Sequence, residues 1–293
     1  MYENLIFGRD GLLAYHIRRE LREKCYTTSR VAVHEGCFEF NLQSTDIAAF
    51  VSRLPASIKN AFVLIGNTDL NFCARFPNQT RHLNVFRISE LCYELSQRKI
   101  NIIFSSTDHV YEGNKQFSRE IDPANPTTQY GKQKFAVENF LTSVHGVKIL
   151  IVRLGKMLSV ASFDNGLIWP WIKSLSNDEE IMIIEEQQFT PIFADDVAKI
   201  LLHLVKNDLV GCYNVGGESA ETRLSIIDSL INSSEFLRNY DRKKIKIIRM
   251  SEVFLEDRPK DVTLSIERLK DVYPYQLISL SQAFSLLAKQ SNF

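Results

Sequence analysis

Tyr130 and Lys134 stand four residues apart in TTQYGKQKFAVE (127–138), where two threonines lead into a periodic apolar pattern. Side chains at i and i+4 share one helix face, so the two can point into one site. A free phenol ionises near pH ~10, too high for efficient proton exchange at neutrality. A nearby ammonium favours the phenolate and lowers that value. The pair then makes a general acid that can protonate a ketone oxygen while hydride arrives at carbon, and the same lysine could hold ribose hydroxyls. Taken alone the motif is weak, because chance produces Tyr-x-x-x-Lys often and a plain helix start also explains the stretch.

The surrounding elements add weight. SSTDHVYEG (105–113) closes KINIIFSST, the most strand-like run in the chain. A hydroxyl there, Thr107, sits at the C-terminal edge of a sheet, where open α/β folds bind ligands, and could hydrogen-bond the same substrate oxygen. Pro126 restricts the chain before the helix, and Thr127 or Thr128 is fit to cap it. At the other end of the chain, Gly8-x-x-Gly11-x-x-Ala14 joins a first strand to a helix expected over 12–25. Such a turn lets backbone N–H groups and a helix N-terminus approach a pyrophosphate, although tight turns without a ligand also carry two glycines. A second strand is expected over 26–33. Arg30 stands near its end, where an acid would grip a ribose 2′-hydroxyl, which leans towards NADP over NAD. A solvated arginine is the competing reading.

Further strands are expected at 61–65, 99–105 and 148–153, and helices at 46–54, 84–98 and 130–144, with Asp46 as a cap. Strands alternating with helices imply crossover connections and a parallel sheet covered on both faces. The expected fold is α/β, a Rossmann-like doubly wound parallel sheet with a smaller C-terminal substrate lobe. Beyond about residue 155 the pattern loosens into short helices at 168–175 and 195–206 and short strands at 181–184 and 244–249. Residues 1–155 therefore read as an NAD(P)-binding domain. Residues 156–293 read as mostly a substrate-binding lobe, with some segments returning to the main domain.

Bulk properties narrow the class. The 293 residues are 45% hydrophobic and 24% charged, and 35 basic side chains balance 35 acidic ones. Nothing in that balance points to nucleic acid or an anionic membrane. The five cysteines form no Cys-x-x-Cys pair and sit near no histidine at ligand spacing, so they read as reduced, buried thiols and no metal is expected. MYENLIFGRDG lacks a signal pattern, and no run approaches the ~20 apolar residues of a membrane span. The cytoplasm is the expected compartment, and a homodimer is left open.

Seven ordered stretches resemble the extended short-chain dehydrogenase/reductase family, and within it the dTDP-4-dehydrorhamnose reductase group. They are GRDGLLA, CARFPNQTRHLNV, SSTDHVYEG, YGKQKFAVE, EQQFTPIFADDVA, GCYNVGG and RPKDVTLS, and they span nearly the whole chain. Together they are far more specific than any one of them. The resemblance implies that Thr107, Tyr130 and Lys134 are catalytic. It implies that Gly8, Gly11, Leu12 and Ala14 line a cofactor pyrophosphate, with Arg30, Ser105, Tyr130 and Lys134 completing the cofactor set. Arg258 would face the diphosphate of a sugar nucleotide, where a planar fork suits phosphate, and Asp108, His109, Asn165 and Gln187 would lie on the substrate side. The implied cofactor is NADPH, with NADH as the alternative, and the implied partner is a nucleotide sugar.

The chain departs from that pattern in three places. His109 stands where the reductases carry tyrosine and related dehydratases carry a glutamate base, which speaks against dehydration. A histidine there could exchange protons, or pack as a half-buried ring. Ile65-Gly66-Asn67-Thr68-Asp69 is shorter than the family's segment flanking the adenine and nicotinamide ribose. The Arg-Thr-x-Trp element is replaced by RLGKMLSV (153–160), and Trp169 and Trp171 could compensate or simply pack the lobe. Asp195-Asp196 resembles a carboxylate pair, but helix capping and the macrodipole explain it better. Three functions follow: an NADPH-dependent reductase of a 4-keto-6-deoxy sugar nucleotide, a sugar-nucleotide epimerase with tightly held NAD, or a non-catalytic NADP-binding regulatory subunit.

Overall fold

A computed structural model of the chain describes residues 2–160, 166–233 and 237–290. Strands β1 (Asn4–Phe7), β2 (Tyr26–Ser29), β3 (Cys37–Glu39), β4 (Asn60–Val63), β5 (Asn101–Thr107) and β6 (Ile149–Leu154) join a last strand, Gly211–Val215, in one sheet. Its order is last strand–β6–β5–β4–β1–β2–β3, and every pairing is parallel. The chain starts in the middle at β1, winds to one edge, then returns to β4 and winds to the other. The reversal between β1 and β4 is a topological switch point, where such sheets open a crevice.

Leu5, Ile6 and Phe7 are all 0% exposed, as a strand covered on both faces requires. The pleat sends alternate side chains to opposite layers. Leu5 and Phe7 meet Ile47, Phe50, Ile88 and Leu91, whereas Ile6, Phe62 and Ile103 meet Ile17, Val197 and Leu201. Each fully buried side chain of this kind contributes roughly 1.5–3 kcal/mol. A third apolar cluster, with Ile168, Trp171, Ile183, Phe189, Ile226 and Phe284, gives the C-terminal part its own core. Trp171 is buried there and Trp169 packs against it, so both tryptophans serve packing. Short parallel pairs, Ile181–Ile184 with Ile245–Ile248 and Gln188–Phe189 with Asp261–Val262, tie that part together. The strand Gly211–Val215 returns to the main sheet beside β6, and the helix Ala194–Lys206 contacts α1 (Leu12–Glu20).

Several boundaries differ from the sequence expectation. Helix α1 stops at Glu20, because Arg22 and Glu23 adopt φ of 50° and 59° and break the helical path. Strand β2 stops at Ser29; Val31 and Val33 are 67% and 58% exposed in the turn leading to β3, which the pattern did not announce. Strand β5 starts at Asn101, after Lys99 turns the chain at φ 57°. The helix expected at 84–98 begins at Pro77 and passes through a π-helical stretch, His82–Arg87, before Ile88–Gln97. Asp195 and Asp196 do not cap the helix they open. Asp195 Oδ1 lies 2.8 Å from His16 Nδ1, and Asp196 accepts the Ile278 N–H at 2.8 Å. All five cysteines are free, and among the described residues no helix is long and apolar enough to cross a membrane.

Candidate active site

Thr107 is the last residue of β5, and a single 3₁₀ turn, Asp108–Val110, follows it. Thr128 caps the helix Gln129–Thr142 by accepting the Gly131 N–H at 3.1 Å, and the Glu256 carboxylate accepts the Gln129 N–H at 3.0 Å. That helix start lies hard against the turn. A Cβ on Gly131 would meet the His109 carbonyl oxygen at 2.2 Å, so only glycine allows the approach. This close packing lets Tyr130 line the same cavity as Thr107. One helical turn later Lys134 donates to the Ser105 carbonyl at 2.7 Å, with its ammonium 4.7 Å from the Phe104 ring centre and 5.9 Å from that of Tyr130.

Thr107, Asp108, Tyr130, Lys134, Leu12 and Arg258 line one cavity of about 470 Å³. A second, of about 540 Å³, is lined by Gly8, Thr28, Arg30 and Asn67, and the two share Gly11, Leu64 and Gly66 as a common wall. That wall is the β1/β4 switch point. Ser105 and Ala14 also border the first cavity, as do His109 and Gln187. Asn165 lies outside the described residues. A larger depression of about 1000 Å³, lined by His16, Arg19, Asp195, Lys199 and Ser281, holds the Asp195-Asp196 pair but none of the expected catalytic, cofactor or substrate residues.

The glycine turn is shaped for close approach. Gly8 has φ 95°, and a Cβ there would strike Ile65 at 2.7 Å. Its N–H goes to Thr28 Oγ1 at 3.2 Å and its carbonyl accepts the Gly11 N–H at 3.0 Å. Gly11 caps α1 without a side chain, and no acid occupies the first helical turn. Facing it, Gly66 has φ 137° and is clamped by Asn84, whose amide accepts the Asn67 N–H at 2.7 Å and donates to the Asn67 carbonyl at 2.8 Å. Asn84 in turn donates to Gln133 at 2.8 Å, on the helix that carries Tyr130 and Lys134. Asn84 belongs to the π-helical stretch His82–Arg87, and such stretches are frequent at functional sites.

Burial dominates the electrostatics. Lys134, 2% exposed, is pushed down to about 8 by desolvation, with Glu138 opposing. The Tyr130 phenol is pushed well above its usual range by burial, then by the Asp108 carboxyl. The expectation of a phenol lowered by Lys134 is therefore corrected: desolvation and the Asp108 charge set the direction, and it is upward. Burial also raises Asp108 to about 7, against the Thr107 hydrogen bond and Lys156, and lowers His109 to about 3, helped by Arg258 and Lys156. His109 is thus a neutral ring at physiological pH.

At the far end of the cavity, Arg223 reaches Gln187 Oε1 with two nitrogens at 3.3 Å, and Gln187 donates to the Pro259 carbonyl at 3.0 Å. Arg258 donates to Asn71 at 3.0 Å and stacks 3.3 Å from the Phe254 ring centre, while its Nε is buried without a partner. Burial and then the Arg223 charge lower Arg258 to about 10. Over residues 3–292 the sequence matches the model of a family described as the RmlD substrate binding domain. The chain belongs to the RmlD substrate-binding-domain family.

Two kinds of relative accompany the RmlD match. A Haloferax volcanii protein described as the probable low-salt glycan biosynthesis reductase Agl14 is 26% identical over 226 residues, 74% of this chain and 75% of its own. Among solved structures, a Yersinia enterocolitica dTDP-4-dehydrorhamnose reductase superposes with a TM-score of 0.83 at 17% identity, covering 99% of this chain and 98% of its own. A Bacillus anthracis dTDP-4-dehydrorhamnose reductase in complex with NADP gives 0.81 at 18% identity, covering 99% and 100%. At such identities the structural likeness is one of fold. Within this RmlD-family site, sequence reading missed Arg223, Lys156, Asn84 and Gln133. It also missed the buried pair Glu138–Arg153 (2.7 Å), which holds Ser106 and Tyr111 behind the cavity. Arg223 and Lys156 come from segments whose local pattern carries no sign of the cavity they share.

Proposed function

We propose that this protein is an NADPH-dependent reductase of a nucleotide-linked 4-keto-6-deoxy sugar. The observation that carries the reading is the convergence of Thr107, Tyr130 and Lys134 in a buried cavity that adjoins the glycine-turn cavity through Gly11, Leu64 and Gly66. The family and its reductase relatives support it. The Gly8 cradle and the uncapped N-terminus of α1 fit a dinucleotide pyrophosphate. Gly8, Gly11, Leu12 and Ala14 would hold it, with Arg30 on the 2′-phosphate side. Bound there, a reduced nicotinamide supplies two electrons and a hydrogen to the ketone carbon. The chain supplies the proton. Burial keeps Tyr130 in its acid form, ready to give the hydroxyl proton to the ketone oxygen, and the Lys134 ammonium then stabilises the phenolate left behind. We also assign Arg258 and Arg223 to the substrate diphosphate, which would give the orphaned Arg258 Nε an acceptor and offset two crowded cations. Residues 1–155 would hold the cofactor and most of 156–293 the sugar nucleotide.

The test mixes the purified protein with NADPH and dTDP-, UDP-, GDP- and CDP-linked 4-keto sugars and follows nicotinamide absorbance. Turnover is expected with at least one sugar. It should fall roughly 10²–10⁴-fold in Tyr130→Phe, which removes only the proton donor. NADPH binding without turnover on any sugar overturns the reading. NAD released from the purified protein on denaturation points instead to an epimerase.

A further inference from the structure

A threonine hydroxyl has one proton to give and two lone pairs to offer. On Thr107 one lone pair accepts the His109 N–H at 3.3 Å, and the proton goes to Asp108 Oδ1 at 3.0 Å. That leaves the hydroxyl only an acceptor face for the cavity. A ketone oxygen is an acceptor too, so the two would repel. The geometry inverts if the carboxyl carries a proton. Asp108 then donates into the second Thr107 lone pair, and the Thr107 proton is released towards the cavity. We propose that Asp108 is a positioning residue acting through Thr107: its acid form aims the Thr107 hydroxyl proton at the ketone oxygen, and its ionised form withdraws it. The proposal rests on the reductase reading and adds a pH gate to it.

The surroundings keep that gate within the physiological range. Asp108 is 6% exposed, and burial raises its carboxyl to about 7 in spite of the Thr107 hydrogen bond, Lys156 and the His109 backbone N–H. From the helix Gln129–Thr142 the group facing it is the Tyr130 phenol, whose own ionisation Asp108 opposes. From the segment after β6 it is Lys156, and within its own turn the neutral His109 ring. Arg223 and Arg258 act on His109, and Lys134 spends a hydrogen bond on the Ser105 carbonyl. Asp108→Asn places a permanent amide donor at the same reach and removes the switch.

The first measurement needs no turnover. With ¹³C-labelled aspartate carboxyls, the Asp108 resonance, assigned by its loss in Asp108→Asn, should titrate with a midpoint near 7. In Thr107→Val the midpoint should move higher, because the bond favouring the ionised form is gone. A midpoint near ~4, the ordinary carboxylate value, or one that Thr107→Val leaves in place, overturns the proposal. The second measurement is the pH profile of kcat/KM for NADPH oxidation. In the wild type it should fall about tenfold per pH unit above the carboxyl midpoint. In Asp108→Asn that limb should vanish, leaving only the later one set by Lys134 near 8. Persistence of the lower limb in Asp108→Asn overturns the proposal while the reductase reading stands. Lack of turnover with any 4-keto sugar at any pH defeats the reductase reading and this proposal with it.

Discussion

Lys134 keeps a charge that its surroundings resist, and the sign of that conflict can be followed with pH. Folded, the ammonium ionises at about 8 instead of 10.5, chiefly because it is desolvated. Between those values the unfolded chain holds a proton that the folded chain has released. Stability therefore rises with pH across that window, and below it the full cost of burying the charge is present. Lys134→Met keeps the length and removes the charge. We expect it to gain on the order of 1–3 kcal/mol at pH 7, read by urea denaturation, and to lose turnover. The gain should shrink towards pH 10.5. A variant no more stable than wild type at pH 7 would contradict this account. Tyr130, Lys134 and Thr107 were legible because an i, i+4 pair and a strand end are local patterns. Arg223 was not, since it reaches Gln187 across 36 positions and only the folded chain makes them neighbours.

At the scale of elements, the site depends on how closely the helix Gln129–Thr142 approaches the turn after β5. Gly131 sets that distance: an added Cβ would meet the backbone oxygen of His109 at 2.2 Å, and no side chain can swing away to relieve it. Gly131→Ala should push the helix start off the turn, and misplacement by about 1 Å costs roughly 10²-fold in rate. The expected result is a kcat loss of that order, with NADPH affinity, titrated by fluorescence, changing far less, because the glycine-turn cavity is built on other elements. An equal loss in both would mean that the helix shift is transmitted through Gln133 and Asn84 to Gly66. Behind the same helix, Arg153→Met leaves Glu138 buried without its partner and should cost about 3–5 kcal/mol by urea denaturation; a cost under about 1 kcal/mol would show that Ser106 satisfies Glu138 unaided. The alternation of strands and helices, and hence the parallel sheet, could be read from the sequence because buried strands are continuous apolar runs. The end of α1 and the start of β5 could not, since Arg22, Glu23 and Lys99 take left-handed conformations that no residue type there demands. The π-helical turn holding Asn84 leaves no sequence signature either. It is imposed by tertiary contacts with Asn67 and Gln133.

For the whole molecule, the two cavities and their shared wall of Gly11, Leu64 and Gly66 imply one elongated ligand that engages both halves of the switch point. A ligand that binds only the folded chain stabilises it by RT ln(1 + [L]/Kd), about 2.7 kcal/mol at a hundred times Kd. For a chain of this size that corresponds to a Tm rise of roughly 4–5 °C. The exposed Arg30 borders the outer cavity beside Ser29, whose hydroxyl donates to Asp10 at 2.7 Å. Asp10 is thus engaged, and Arg30, which lines the same cavity, is the group proposed for a 2′-phosphate. NADPH should therefore raise Tm more than NADH at equal concentration, and Arg30→Ala should bring the NADPH shift down to that of NADH while leaving the NADH shift in place. An Arg30→Ala protein that still separates the two cofactors by the wild-type margin would show that another group reads the 2′-phosphate, and Arg9, which lies 3.1 Å from His34 on the same rim of the glycine turn, would be the next residue to replace.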